Sequence, residues 1–166
     1  MTLETLSQVA SIIGVAGGLF SIGIALVGVK RDREWKRRKN AEDTLTRLVN
    51  DDFGDLILKI EDEFGWNIVN DPEDYSEIIA EMPAEQVHLL DRQVRRMLRI
   101  LESLSIYIKH DIIADDMVFD YMASIGPLIA KKCAAFIKNE REMRKNERIF
   151  TNFTGATERW QARLQN

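Results

Sequence analysis

Four arginines stand within the stretch "LLDRQVRRMLRILES", at positions 92, 95, 96 and 99. On a helix turning 100° per residue, Arg92, Arg95, Arg96 and Arg99 share a face roughly 100° wide, opposite a seam of Val94, Leu98 and Leu101. Guanidiniums held so close repel one another unless something anionic answers them. Two answers are open. Carboxylates such as Glu85, Asp91 and Glu102 would make a salt-bridged, exposed face; a phosphate-bearing ligand would be gripped by forked hydrogen bonds.

A second basic stripe, Lys131, Lys138, Arg141, Lys145 and Arg148, lies opposite Ile129, Phe136 and Met143 on a later helix. The tail then interleaves Phe150, Phe153 and Trp160 with Arg148, Arg159 and Arg163. Cations that track phosphates beside rings that stack bases are the parts of a single-strand nucleic-acid site. Because Glu140, Glu142 and Glu147 intervene, a solvated charged helix over an aromatic core fits the same pattern. The candidate ligand-binding residues are therefore Arg92, Arg95, Arg96, Arg99, Lys138, Arg141, Lys145, Arg148 and Trp160.

Catalytic chemistry finds no footing. The chain has no Gly-rich phosphate loop, no H-E-x-x-H and no nucleophile motif, and its one cysteine and two histidines supply neither a disulfide nor a zinc site. The pairs Asp51/Asp52 and Asp115/Asp116 read as turn and cap residues, and Cys133 as core. No enzyme activity, metal or cofactor is expected.

Those basic faces must be positioned by something, and the 166 residues, 45% hydrophobic and 30% charged, suit one modest domain plus an unusual N-terminus. Val9 to Val29 contains no charge, and as a helix it would reach about 31 Å, close to the hydrocarbon thickness of a bilayer. Glu4 precedes this run and Lys30 and Arg31 follow it, so it reads as a retained anchor rather than a cleaved signal. The collar Lys30, Arg31, Arg33, Trp35, Lys36, Arg37 and Arg38 places the N-terminus outside and the remainder in the cytoplasm, with Trp35 at headgroup level. Net charge is −4 overall, but residues 30–39 carry seven Lys/Arg against Asp32 and Glu34, which leaves an acidic remainder.

Within the span, Ser11, Gly14, Gly18, Ser21, Ala25 and Gly28 fall on one arc of small and hydroxyl residues. Such a stripe lets backbones approach closely in lipid, so the helix is expected to self-associate. It fits either a tightly packed anchor dimer or several copies around a narrow polar path.

Beyond the span (9–29, in a membrane segment 1–29), a basic juxtamembrane helix is expected over 30–50 and a helical cytoplasmic domain over 51–166. Leu56, Ile57, Ile60 and Phe64 predict a helix stopped by Gly65; Pro83 opens a long one with a seam from Val87 to Ile108. Asp115 and Asp116 should cap another, running toward Phe150 and kinked or split at Gly126-Pro127. No strand pattern competes. The expected fold class is all-α: one transmembrane helix and a cytoplasmic bundle, in four to six helices.

The stretches "LVGVKRDREWKRRKNAEDTLTRL" and "LRILESLSIYIKHDIIADDMVFDYM" together resemble a family of small bacterial proteins with one N-terminal membrane helix and a helical cytoplasmic domain. In that family a Glu inside an apolar helix precedes an Ile/Val-rich turn and an acidic helix start, places held here by Glu102, Ile112, Ile113, Asp115 and Asp116. Size, single span and domain order also resemble the membrane effectors of the Hailong anti-phage system. That resemblance implies antiviral defence at the bacterial inner membrane by a homo-oligomeric cation channel, expected here as a tetramer. It implies as ligand a single-stranded DNA or other oligonucleotide made by a partner nucleotidyltransferase. The alternative is a non-conducting, membrane-anchored protein-interaction module.

Overall fold

The computed structural model describes residues 27–47 and 53–165, and among them all regular structure is helical. The chain divides into two compact units, 1–37 and 38–166. Of the first, residues 27–37 are described and helical, with Val27, Val29 and Trp35 exposed. Among the described residues no helix is long and apolar enough to cross a membrane. The predicted span 9–29 lies outside the described residues except for its last three positions.

The second unit is built from the end of helix α1 (27–47) and seven further helices: α2 Phe53–Phe64, α3 Tyr75–Ala80, α4 Ala84–Lys109, α5 Asp115–Met122, α6 Ile125–Lys132, α7 Ala134–Arg144 and α8 Thr151–Leu164. Residues 38–47, grouped by sequence with the juxtamembrane helix, contribute to its core, because Ala41 and Leu45 are buried with it. Arg38 also reaches Asp116 at 3.1 Å, and the Asn40 amide donates to the Ile112 carbonyl.

α4 is the axis of the unit. Its buried residues Leu90, Val94, Met97, Leu98, Leu101, Leu104 and Ile108 recur at helical spacing, as the sequence seam predicts. α2 and α8 pack along it, α6 against α8, and α3 against α7. α2 ends where expected: Gly65, at φ +68°, takes the left-handed turn that a side chain would strain, and its N–H closes on the Glu61 carbonyl. The loop that follows is tightly bonded. Asn67 holds it by accepting from the backbone of Val69 and Asn70 and donating to Glu61, while Trp66 and Ile68 are fully buried.

The long helix expected after Asp115 is in fact three. It breaks at Ala123-Ser124, just ahead of Gly126-Pro127, so Pro127 falls in the first turn of α6, where its missing N–H has no intrahelical partner to lose. It breaks again at Cys133, which no Gly or Pro announces. This division, with the short α3, gives eight helical segments among the described residues instead of four to six.

Two corrections concern helix termini. Asp115 and Asp116 do not cap α5, whose N-cap position is Ala114; they sit in its first turn and are spent on tertiary bonds. Met143, predicted on the buried side of α7, is exposed, since α7 turns Phe136, Ile137 and Glu140 inward.

Candidate functional site

The middle of α4, the second half of α7 and the turn before α8 form a cleft of about 310 Å³ lined by Arg95, Arg99, Glu102, Glu140, Arg144, Asn146, Arg148, Ile149 and Phe150. Its construction begins at Glu140, whose side chain is 2% exposed. A carboxylate so deep survives in ionised form only when paired. Arg95 grips it in a fork, Nε at 3.1 Å and a terminal nitrogen at 2.6 Å, and Arg144 meets it from the next turn at 3.1 Å. The Arg95 hydrogen bond is the main cause that holds the Glu140 carboxyl below its ordinary range, and the same bond raises Arg95. The Arg95 guanidinium also lies 5.6 Å from the Phe136 ring centroid.

The opposite wall is the α7–α8 connection. Lys145 is left-handed (φ 49°) and closes α7 in a Schellman turn, with the Asn146 N–H on the Arg141 carbonyl at 3.0 Å. Arg141 Nε donates to the Ile149 carbonyl at 2.9 Å, and Asn146 Oδ1 accepts from the Arg148 N–H at 2.9 Å. α8 has no cap of its own, because Phe150 stands at its N-cap position. Glu102 supplies the cap from α4 instead, accepting from the N–H groups of Asn152 at 3.3 Å and Phe153 at 2.7 Å and from the Asn152 side chain at 2.7 Å. A carboxylate at the positive end of a helix is favourable both as acceptor and as charge.

Both glutamates of the cleft are thus committed. Four arginines against two glutamates leave the lining at net +2. Among the described residues, the side chains of Arg99 and Arg148 meet no carboxylate. What the arrangement can do chemically is bind an anion: the fixed pair Arg95/Arg144 gives shape, and Arg99 and Arg148 give exposed charge. The sequence of a domain of unknown function, DUF4760, matches residues 9–160.

The chain belongs to the DUF4760 family.

No curated protein and no solved structure matches it. The DUF4760 match takes in both the uncharged run from Val9 and every residue that lines the cleft.

The structure divides the sequence-predicted site residues. Arg95, Arg99 and Arg148 come together at the cleft, while Arg92 and Arg96 are exposed on α4 outside its lining. Lys138 is exposed and pairs along α7 with Glu142 at 3.9 Å; Arg141 and Lys145 hold the turn. Trp160 is a correction: it is 1% exposed, its Nε1 donates to Asp115 at 3.0 Å, and its ring faces the core rather than a ligand. Phe153 is buried likewise.

Sequence reasoning missed Arg144 and Asn146, and missed that Glu140 organises the site. The spacing of Glu140 and Arg144, four apart on one helix, was the available signal.

Of the membrane-interface residues, Lys30, Arg31, Arg33, Trp35, Lys36 and Arg38 are exposed on α1 and Arg37 is half-buried; Lys36 pairs with Asp32 at 2.8 Å. At Gly28 a Cβ would meet nothing within 4 Å. Ser11, Gly14, Gly18, Ser21 and Ala25 lie outside the described residues. Burial pushes the Cys133 thiol up to about 12, which leaves it an inert core residue.

Proposed function

We propose that this chain is the subunit of a homo-oligomeric, cation-conducting channel in the bacterial inner membrane, an anti-phage effector and not an enzyme, whose cytoplasmic helical domain senses an oligonucleotide. One observation carries the sensing half: the cleft that holds Arg95 and Arg144 on Glu140 while Arg99 and Arg148 present uncompensated charge to solvent. Supporting the conducting half are the uncharged run 9–29, its small-residue stripe and the basic collar, which together fit a single span with its N-terminus outside. Ligand occupancy would shift a two-state equilibrium of the bundle, and with it the arrangement of the pore helices in what we take to be a tetramer.

The test of the sensing half is fluorescence anisotropy of labelled single-stranded DNA with detergent-solubilised full-length protein at fixed salt. Replacing Arg99 and Arg148 by Glu should weaken binding about 100-fold or more, since each charge-assisted contact is worth about 1.5–3 kcal/mol. Equal affinity of wild type and variant would contradict the assignment of the cleft. The alternative, a tethered module that conducts nothing, draws on exposed Leu58, Tyr121 and Met143 as contact points for a partner. Exchanging residues 1–29 for an unrelated single-span anchor separates the two, because only the tethered module would keep its function.

A further inference from the structure

We infer that the arginine cleft takes the phosphorylated end of the oligonucleotide, a terminal phosphomonoester, rather than the internal backbone of a strand. The inference rests on the oligonucleotide reading above and narrows it to one chemical group.

Size is the first ground. At about 310 Å³ the cleft lies at the bottom of the range for ligand pockets, roughly 300–1,000 Å³. That is room for a phosphate and its sugar, whereas a site that tracks single-stranded backbone extends over about 4–16 nucleotides.

The second ground is the missing stacking platform. Strand-tracking sites expose aromatic faces to successive bases. Here Phe136, Phe153 and Trp160 are buried, and the single aromatic of the lining, Phe150, is 6% exposed and held in a left-handed turn. Bases passing this cleft would find no ring to lie on.

Charge is the third. A phosphomonoester carries about −1.5 to −2 at neutral pH and three acceptor oxygens, while an internal diester carries −1. Arg95 and Arg144 on Glu140 sum to +1, which the charge of Glu102 offsets, so the lining's net +2 equals the charge of Arg99 and Arg148. Two guanidiniums facing one dianion match; two facing one diester would leave a cation over.

The experiment uses full-length protein and three DNA oligonucleotides of one sequence, with hydroxyl ends, a 5′-phosphate or a 3′-phosphate, and inorganic phosphate and a mononucleotide as competitors. One phosphorylated form should bind about tenfold or more tighter than the hydroxyl form. Its advantage should grow as pH rises from 5.5 to 7.5, through the second phosphate ionisation near 6. Arg99→Gln or Arg148→Gln should abolish the advantage; both side chains are exposed, so neither substitution threatens the fold. Competition by the mononucleotide matching that by the phosphorylated oligonucleotide would identify the end group alone as the determinant. Equal binding of all three forms, or an advantage that survives both substitutions, overturns the inference and leaves oligonucleotide sensing intact. Failure of wild type to bind any form overturns both.

Discussion

Replacing Trp160 by Ala should cost about 3–5 kcal/mol of unfolding free energy, the range for deleting a large aromatic from a packed core. Three losses coincide there. The ring is 1% exposed, so its removal opens a cavity between α6 and α8. Its Nε1 donates to Asp115 at 3.0 Å, and that carboxylate, which also pairs with Arg163 at 3.1 Å, would lose a partner. The ring further rests on Gly126, where an added Cβ would stand 2.9 Å from Trp160 Cζ3 and 3.2 Å from Cε3. Gly126→Ala should therefore destabilise as well, by about 1–3 kcal/mol from overpacking. Urea unfolding followed by circular dichroism measures both; a Trp160→Ala protein within 1 kcal/mol of wild type would show that the α6–α8 contact carries little of the stability.

Glu140→Gln should cost about 2–3 kcal/mol at neutral pH. Breaking a buried ion pair by removing one partner typically costs 3–5 kcal/mol, because the remaining charge is left without its counter-ion. The lower figure applies because Arg95 and Arg144, with side chains 25% and 51% exposed, can turn to water. The pH dependence has a definite sign. The folded carboxyl titrates below its ordinary value of 4.5, held down chiefly by Arg95, so the unfolded chain binds the proton first. The contribution is complete above the unfolded value and is lost as pH falls through the depressed folded one. Wild type should therefore lose stability as pH falls below about 4.5, and the Gln variant should lose less over the same interval. Parallel acid limbs for the two proteins would exclude this ion pair as a source of acid sensitivity.

Much of the scaffold was legible because it follows from local rules. The α4 seam is a periodicity and Gly65 is a left-handed stop, whereas the short α3 and its Asp74/Glu77 capping box went unread. The site was legible only in part. Arg95, Arg99 and Arg148 stood out as members of two basic helix faces, but the pairing of Arg95 with Glu140 spans 45 residues, and the capping of α8 by Glu102 spans about 50. Nothing local announces either. Trp160 shows the opposite failure: beside Arg159 and Arg163 it reads as a stacking ring, yet Gly126 and Asp115, both distant in sequence, give it a place in the core. The break at Cys133 also has no local signal, since neither Gly nor Pro stands at it.

Of the positions that carry the family resemblance, Glu102, Ile113 and Asp115 hold the fold together in this chain, while Ile112 is exposed and Asp116 pairs with Arg38 at the surface. Ile113 is buried, and the carboxylates of Glu102 and Asp115 anchor α8 at its start and along its length. Their service is to seat the helix that closes the cleft.

The proposed function is tested most directly by planar-bilayer conductance of the purified full-length protein, with and without single-stranded oligonucleotide, beside a Gly18→Leu/Ser21→Leu variant. The proposal predicts wild-type currents that respond to the oligonucleotide and are abolished or altered by the variant. Silence from both proteins under both conditions, despite correct insertion, would contradict it and reduce the uncharged run to an anchor.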